Sequence, residues 1–264
     1  GLQDVRGYDS IIPRSYVSYM ERLQPQGDLL YNRIAPIYEQ ERLTSPLLDV
    51  LNVKYVLTAQ EIGLPGYTLV YEGDLRVYRN DDVLPRAVVV PALAVLPDEE
   101  AVLDRMAEGG ADFRRQLLVS ERTRRDLTSA VDARPGASAT AGVAEYGPNR
   151  VVVALEGVTG GFLFLGDSYF PGWRAMVDGE ERPVLRADYL FRAVELRPGD
   201  REVVFEYDPF TFKLGVYLSL ITLVICAACV GYCAWRTFYR EHESDHPVRR
   251  VAKNTFTPLL TTLV

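Results

Sequence analysis

The sequence predicts an α+β domain that ends in an antiparallel β-sandwich of jelly-roll type and is followed by one transmembrane helix. Three observations support this fold class. Helix-start signals alternate with short strands in the first half of the chain, residues 150–208 hold short apolar runs separated by turns, and a long uncharged stretch lies near the C-terminus. The composition, 48% apolar and 25% charged, is that of a folded protein.

Residues 1–127 have the pattern of a mixed α/β extracytoplasmic region. Pro13 stands where a first helical turn would begin, and Ser45 with Pro46 joins an N-cap residue to a proline at the first helical position. In chain order the pattern predicts a helix at 13–23, a short helix from 45, a strand at 53–57, a hairpin of strands 67–71 and 75–78, a strand at 86–96 interrupted by Pro91, and a helix at 97–108.

The composition changes after residue 127. Residues 128–149 are dominated by Ala, Gly, Ser, Thr and Pro, which predicts a linker or a long loop. Residues 150–213 then form the predicted sandwich module, in which Asp178-Gly179 is a two-residue hairpin signal and Pro198-Gly199 a turn. The predicted strands of this module are 151–155, 162–165, 173–177, 184–196 and 202–207.

Residues 214–235 form the predicted transmembrane helix. These 22 residues carry no charge and lie between Lys213 and Arg236. Such a helix is about 33 Å long, which is enough to cross the hydrocarbon core of a bilayer. Basic residues concentrate after it, so the positive-inside rule places 236–264 in the cytoplasm and 1–213 outside. The uncharged end, 255–264, is read either as an interfacial segment or as the start of a further membrane segment.

The charge balance and the positions of the cysteines limit the kinds of partner that this chain is expected to bind. Residues 1–213 hold 24 basic and 33 acidic side chains, a balance that argues against nucleic acid as a partner. The first residue is not Met, so we expect a piece of something longer, with upstream membrane helices or a membrane partner protein. The three cysteines all fall in the membrane helix, where close helix packing is favoured over a metal or redox role.

No catalytic residue or metal site is predicted in residues 1–213. The two histidines, His242 and His246, lie in the tail, so neither a Ser-His-Asp arrangement nor a His-bearing metal site can form outside the membrane. One cluster combines aromatic side chains with Asp and Arg, the residue types that bind sugar rings and their hydroxyls. The candidate glycan-binding residues are Asp167, Tyr169, Trp173, Arg186, Asp188 and Tyr189.

Two structural interpretations compete with glycan binding for this cluster. The aromatic residues could close the end of a sandwich core, or they could anchor the domain at the membrane interface. For Trp173 the core interpretation is favoured, since a Pro-Gly pair precedes it and Ala175 and Val177 share its face of the strand.

Several motifs resemble, in the same order, the C-terminal region of the bacterial YfhO family of large membrane proteins. The resemblance spans about residues 1–235 and rests on the motifs taken together. They are GYDS at 7–10, LDVLNVKYVL at 48–57, YFPGW at 169–173, VDG at 177–179, RADYLFRAV at 186–194, PG at 198–199 and VFEY at 204–207.

The resemblance implies a GT-C-type glycosyltransferase with many membrane helices that uses a polyprenyl-phosphate sugar donor and acts on cell-envelope glycans. The catalytic carboxylates of that fold class lie on early extracytoplasmic loops, so none is carried over to this chain, which alone is expected to be non-catalytic. Three functions stay open: the C-terminal module and anchor of such a transferase, a membrane-tethered carbohydrate-binding or protein-interaction module, and a structural subunit of a larger membrane complex.

Overall fold

The computed structural model describes residues 3–7, 11–27, 33–125, 127 and 139–244. The chain divides into two units, Gly1–Asp208 and Pro209–Val264. The first unit is mixed α+β with several antiparallel sheets, and the second contains one long apolar helix. The predicted α+β class followed by one apolar helix agrees with this description.

Four short α-helices and one 3-10 helix belong to the first unit. Side chains cap three of the α-helices: Ser45 accepts a hydrogen bond from the Leu47 amide, and Asp98 and Ser120 do the same for the third and fourth helices. The helices are α1 (Arg14–Leu23), the 3-10 helix (Gln40–Thr44), α2 (Pro46–Val50), α3 (Glu99–Ala107) and α4 (Glu121–Arg124).

Fourteen strands make up four sheets within the described residues. The strands are β1 (Tyr55–Thr58), β2 (Tyr67–Glu72), β3 (Arg76–Asn80), β4 (Ala87–Val90), β5 (Ala92–Leu96), β6 (Gln116–Ser120), β7 (Thr140–Tyr146), β8 (Arg150–Glu156), β9 (Gly161–Ser168), β10 (Trp173–Val177), β11 (Glu180–Arg182), β12 (Leu185–Ala187), β13 (Phe191–Leu196) and β14 (Glu202–Tyr207). The sheet orders are β1-β3-β2, β11-β10-β14-β8-β7, β12-β13-β9-β4 and the parallel pair β5-β6.

The five-stranded and four-stranded sheets share one buried core. Val153, Val177 and Phe205 of the five-stranded sheet belong to the same buried cluster as Leu163 and Val194 of the four-stranded sheet. Two antiparallel sheets joined through one apolar core are compatible with the predicted sandwich. The jelly-roll connectivity stays a prediction.

The four-stranded sheet is buried on both of its faces. In β9, Leu163 and Leu165 point into the core shared with the five-stranded sheet, while Phe162 and Phe164 belong to a second core that includes α1, α2, α3 and β6. Alternate side chains of a strand point to opposite faces, so a strand covered on both sides needs a continuous apolar run. The run at 162–165 is therefore explained by two cores, whereas the sequence suggested only a sandwich core.

The four-stranded sheet also draws on the first region of the chain. Its edge strand β4 pairs with β9, with Ala87 opposite Leu165 and Val90 opposite Phe162. The sheets that resemble a sandwich therefore include a strand from outside the predicted module 150–213. Pro91 separates β4 from β5, which continues into the parallel pair with β6.

The junction between β4 and β9 is closely packed. Gly161, the first residue of β9, has φ +105°, and a Cβ there would lie 2.7 Å from the Val90 carbonyl oxygen. Only glycine reaches both this conformation and this close approach without strain.

The three-stranded sheet leaves an apolar face exposed. Val77 of β3 pairs with Leu57 of β1 on one side and with Tyr71 of β2 on the other, so these three side chains form a row across one face. Leu57 and Tyr71 are each 61% exposed. Tyr78 and Asn80 of β3 lie on the opposite face, and both are buried.

Two predicted boundaries need correction. Residues 128–138 of the predicted linker lie outside the described residues, but Thr140–Tyr146 forms the edge strand β7, paired with β8. The composition of β7 is similar to that of a loop because most of the strand is exposed. An exposed strand does not need alternating apolar residues. The predicted strand 184–196 is interrupted by a turn, since Asp188 and Tyr189 both adopt positive φ.

The second unit is α5 (Phe210–Ser244), which extends beyond the predicted 214–235 at both ends. Among the described residues, one stretch, Phe210–Tyr239, is long and apolar enough to cross a membrane. Residues 245–264 of the predicted tail lie outside the described residues. The helix therefore supports association with a membrane, and its orientation stays a prediction.

Candidate functional site

A cavity of about 370 Å³ lies where the ends of β7, β9, β10 and β13 meet. Two of the six predicted glycan-binding residues, Asp167 and Trp173, line it. The other polar and charged side chains around it come from distant parts of the sequence: Gln3, Tyr16, Arg86, Tyr146, Ser168 and Arg192.

Asp167 stands at the centre of the polar side of this cavity. Its Oδ2 accepts a hydrogen bond of 2.8 Å from Arg192 Nη2, and its Oδ1 accepts one of 3.2 Å from the Tyr146 hydroxyl. The Nη1 atom of Arg86 lies 3.7 Å from the same Oδ1, within ion-pair distance. Two arginines and a tyrosine from three strands or strand ends therefore converge on one carboxylate.

Arg192 packs against aromatic rings. Its guanidinium carbon lies 3.8 Å from the centre of the Trp173 ring and 5.5 Å from that of Phe205. Burial lowers the pKa of Arg192 to about 10, while Asp167 and Tyr146 act in the opposite direction. The side chain is still charged at neutral pH, and cation–π contacts with the rings help to offset its loss of hydration.

Arg86 is the more open of the two arginines. Its guanidinium lies 4.6 Å from the centre of the Tyr146 ring, and its Nη2 donates a hydrogen bond to the Gln3 side-chain oxygen. The backbone fixes its position, because the Gly166 amide donates to the Arg86 carbonyl at 2.7 Å. The last residue before β4 is thereby aligned with the end of β9, beside Asp167.

Trp173 has both a packing role and a position in the cavity wall. It is half-buried and packs against the core that contains Ala175 and Val177, both fully buried. It pairs in register with Tyr207 of β14, and the two ring centres are 5.4 Å apart. Trp173 was predicted to share a face of β10 with Ala175 and Val177, and that face is the buried one. The Trp173 ring also borders the cavity.

Three of the predicted residues lie together in a different place. Asp188 is fully buried and accepts a hydrogen bond of 2.8 Å from the Leu118 amide of β6. The Nε atom of Arg186 lies 3.5 Å from Oε2 of Glu99 in α3, and its guanidinium carbon lies 4.8 Å from the centre of the Tyr189 ring. These three residues connect the β12–β13 turn to β6 and α3. The contacts described for them therefore stabilise the fold.

The sixth predicted residue, Tyr169, follows β9. Its amide donates a hydrogen bond of 2.7 Å to the Leu190 carbonyl, which links the end of β9 to the β12–β13 turn.

Sequence reasoning missed Arg86, Tyr146 and Arg192 as members of the site. Arg192 lay within the motif that carries the family resemblance, and its place among apolar residues of a strand was the available signal. Tyr146 fell in the predicted linker, and Arg86 preceded an apolar run. No local pattern in the sequence links either of these two to Asp167.

The side chains that line the cavity include polar, charged and aromatic groups. Among them are two guanidinium groups, tyrosine and serine hydroxyls, one carboxylate and the Trp173 and Phe191 rings. Among the described residues no group of three or more His, Cys, Asp or Glu side chains could hold a metal ion.

Comparison with known proteins gives one limited relationship. A stretch of 80 residues is 25% identical to the uncharacterised protein YfhO of Bacillus subtilis (strain 168). This stretch covers 30% of the chain and 9% of the Bacillus protein. No family model matches the chain, and no solved structure matches it. A stretch of less than a third of the chain is thus similar to a small part of YfhO.

Proposed function

We propose that this chain is the extracytoplasmic C-terminal module and membrane anchor of a YfhO-like polytopic glycosyltransferase of the GT-C type, acting on cell-envelope glycans. The observation that carries the proposal is the similarity to a small part of a much longer YfhO protein. The candidate membrane helix α5, which follows the α+β unit, supports an anchoring role. The polyprenyl-phosphate sugar donor and the catalytic carboxylates then belong to other parts of the larger protein.

Within this proposal the cavity around Asp167 binds the glycan. The Tyr146 hydroxyl, the Arg86 guanidinium and the Ser168 side chain border a space at the small end of the range for ligand pockets, about 300–1,000 Å³. Hydrogen-bond donors fixed by neighbouring contacts lose little freedom on binding, which favours recognition of sugar hydroxyls. Binding here would present the acceptor glycan to the catalytic part of the larger protein.

The proposal is tested in the source bacterium by exchanging Asp167 for Leu in the chromosomal copy. Loss of the carboxylate removes the group that orients Arg192, Arg86 and Tyr146 together, so we expect less of one sugar modification in the envelope glycans. Mass spectrometry of the released glycans provides the measurement. Glu181→Gln, which changes an exposed carboxylate on β11, is the matched control.

An unchanged glycan profile in cells that contain folded Asp167→Leu protein would contradict the proposal. The amount of protein in the membrane fraction must be measured in parallel, because a fall in abundance would also lower the modification.

A second function, a membrane-tethered interaction module, is favoured by the exposed apolar face of the three-stranded sheet. Leu57 and Tyr71 stand on either side of Val77, and Tyr55 and Val70 add further exposed apolar surface. Exposed apolar patches of this kind mark interaction sites. A double exchange, Leu57→Ser with Tyr71→Ser, that abolished the glycan modification while leaving glycan binding intact would support this alternative.

A further inference from the structure

The cavity around Asp167 contains more positive than negative charge. Two guanidinium groups, Arg86 and Arg192, face one carboxylate, Asp167. Both oxygens of that carboxylate already have partners: Oδ2 binds Arg192 and Oδ1 binds the Tyr146 hydroxyl. A ligand therefore meets a carboxylate whose acceptor capacity is largely used, next to a positive charge that is not neutralised.

Arg192 contributes this charge without being fully paired. Its side chain is 4% exposed, and its Nη1 atom has no hydrogen-bond partner among the described residues. Its guanidinium also covers one face of the Trp173 ring. That face is thus not open for stacking on a sugar, which leaves polar and ionic contacts as the main source of affinity.

Arg86 is the group that a ligand can reach. Its side chain is 26% exposed, and its Nη1 lies 3.7 Å from Asp167 Oδ1, which is longer than a hydrogen bond. The guanidinium fork binds a two-oxygen anion such as a carboxylate with two parallel hydrogen bonds. The Tyr146 ring beneath it limits the directions in which this fork can turn.

We infer that the cavity binds a sugar unit that carries a carboxylate, a uronic acid, with the carboxylate held by Arg86 and the ring hydroxyls facing Tyr146 and Ser168. The inference rests on the proposed glycan-binding role of the same cavity. One negative charge on the ligand balances the cluster of two arginines and one aspartate. The cavity of about 370 Å³ is suited to a single sugar ring.

The test uses the whole chain in lipid nanodiscs and three probes in isothermal titration: the methyl glycosides of glucuronic acid and of glucose, and glucose 6-phosphate. We expect the glucuronide to bind at least about tenfold more tightly than the neutral glucoside, which corresponds to one charge-assisted contact. Arg86→Gln should remove this preference, and Arg86→Lys should keep part of it. Arg174→Gln, an exposed arginine on β10 paired with Glu181, is the matched control.

The outcomes separate this inference from the proposed function. Equal binding of the glucuronide and the glucoside would overturn the inference and leave a neutral glycan site intact. Preference for the phosphate over the glucuronide would also overturn it, in favour of a phosphorylated ligand. Absence of binding by all three probes at millimolar concentration would overturn both. The thermal unfolding midpoint of each variant must match that of the unmodified chain, so that lost binding is not lost folding.

Discussion

Asp188 and Leu118 exchange two hydrogen bonds of 2.8 Å. The Asp188 amide donates to the Leu118 carbonyl, and the Leu118 amide donates to Asp188 Oδ1. These two hydrogen bonds join the β12–β13 turn to β6. Asp188 adopts a positive φ of 45° in this turn. Its Oδ2 is buried and has no hydrogen-bond partner among the described residues, so the carboxyl group is poorly suited to carry a charge.

Stability should depend on pH through Asp188. Burial raises the pKa of Asp188 to about 7, although the Leu118 hydrogen bond acts to lower it. Between its ordinary value of 3.8 and about 7, the folded state binds a proton that the unfolded state has released. The contribution of Asp188 to the free energy of unfolding is therefore full at low pH and falls as pH rises through this window.

Asp188→Asn removes this titration and keeps an oxygen acceptor for the Leu118 amide. Relative to the unmodified chain, the variant should gain on the order of 1–4 kcal/mol of stability as pH is raised from 4 to 8. Urea unfolding at several pH values measures the difference. Glu156→Gln on β8, where the side chain is exposed, is the control. A stability difference between Asp188→Asn and the unmodified chain that stays constant over this range would contradict the assignment.

Trp173→Ala should weaken both the fold and the cavity. The ring is half-buried against the sheet core, so we expect a loss of about 2–4 kcal/mol, less than for a fully buried tryptophan. The guanidinium of Arg192 also loses its aromatic support. Trp173→Phe retains a ring and should keep most of the stability. Thermal unfolding distinguishes the two variants, and a midpoint for Trp173→Ala within two degrees of the unmodified protein would refute the packing role.

Asp200→Asn should destabilise the protein because it removes the buried charge partner of Arg182 and leaves that arginine only the exposed Glu180, whose Oε2 lies 3.3 Å from Nη2. Arg182 and Asp200 have side chains only 7% and 8% exposed, and they form hydrogen bonds of 2.5 and 3.1 Å. Arg182 also donates to the Glu195 carbonyl, which links β11 to β13 of the other sheet. Breaking such a pair costs about 3–5 kcal/mol.

The exposed ion pair between Arg174 and Glu181 supplies the control for Asp200→Asn. Glu181→Gln should change the urea midpoint far less, since water and salt screen a surface pair. Similar losses in the two variants would show that burial does not set the strength of the Arg182 pair.

Gly161→Ala should destabilise the contact between β4 and β9. The added Cβ would meet the Val90 carbonyl oxygen, and alanine disfavours the positive φ at this position. We expect a cost of about 1–3 kcal/mol in chemical denaturation. Gly142→Ala on the edge strand β7 is the control, since its Cβ would meet no heavy atom within 4 Å and its stability should be unchanged or slightly higher.

The orientation of α5 can be tested by labelling single cysteines in intact cells. Basic residues follow the helix, so Ser244 is expected in the cytoplasm and Glu156 outside. After Cys226, Cys229 and Cys233 are replaced by Ala, an impermeant maleimide should label Glu156→Cys and not Ser244→Cys. The reverse pattern would overturn the predicted topology, and lysed cells provide the control for accessibility.

The elements with strong local signals were predictable from the sequence. Proline and serine at the helix starts predicted α1 and α2, and Asp178-Gly179 predicted the hairpin that begins with β10. The strand β7 was missed because an exposed edge strand of small residues carries no apolar alternation. The parallel strand β6 was missed because its partner β5 lies before α3, and sequence patterns do not report pairing.

The candidate site was only partly predictable for a related reason. Asp167 and Trp173 were recognised by residue type within one dense motif, and both line the cavity. Arg186, Asp188 and Tyr189 shared that motif, but the turn at positive φ directs them to β6 and α3 instead. Arg86 and Tyr146 reach Asp167 through sheet pairing, so their roles depend on three-dimensional structure.

The pairing of β4 with β9 also bears on how the chain reaches its folded state. Ala87 and Leu165 are adjacent in space although they are nearly eighty residues apart along the chain. Contacts of such long sequence separation are formed late and slow the folding of a domain. The helices of the first region pack on the sheet that this pairing completes. During synthesis, the apolar surface of the first region that packs on this sheet therefore stays uncovered until β9 and β13 have been made, and it is open to aggregation in that interval.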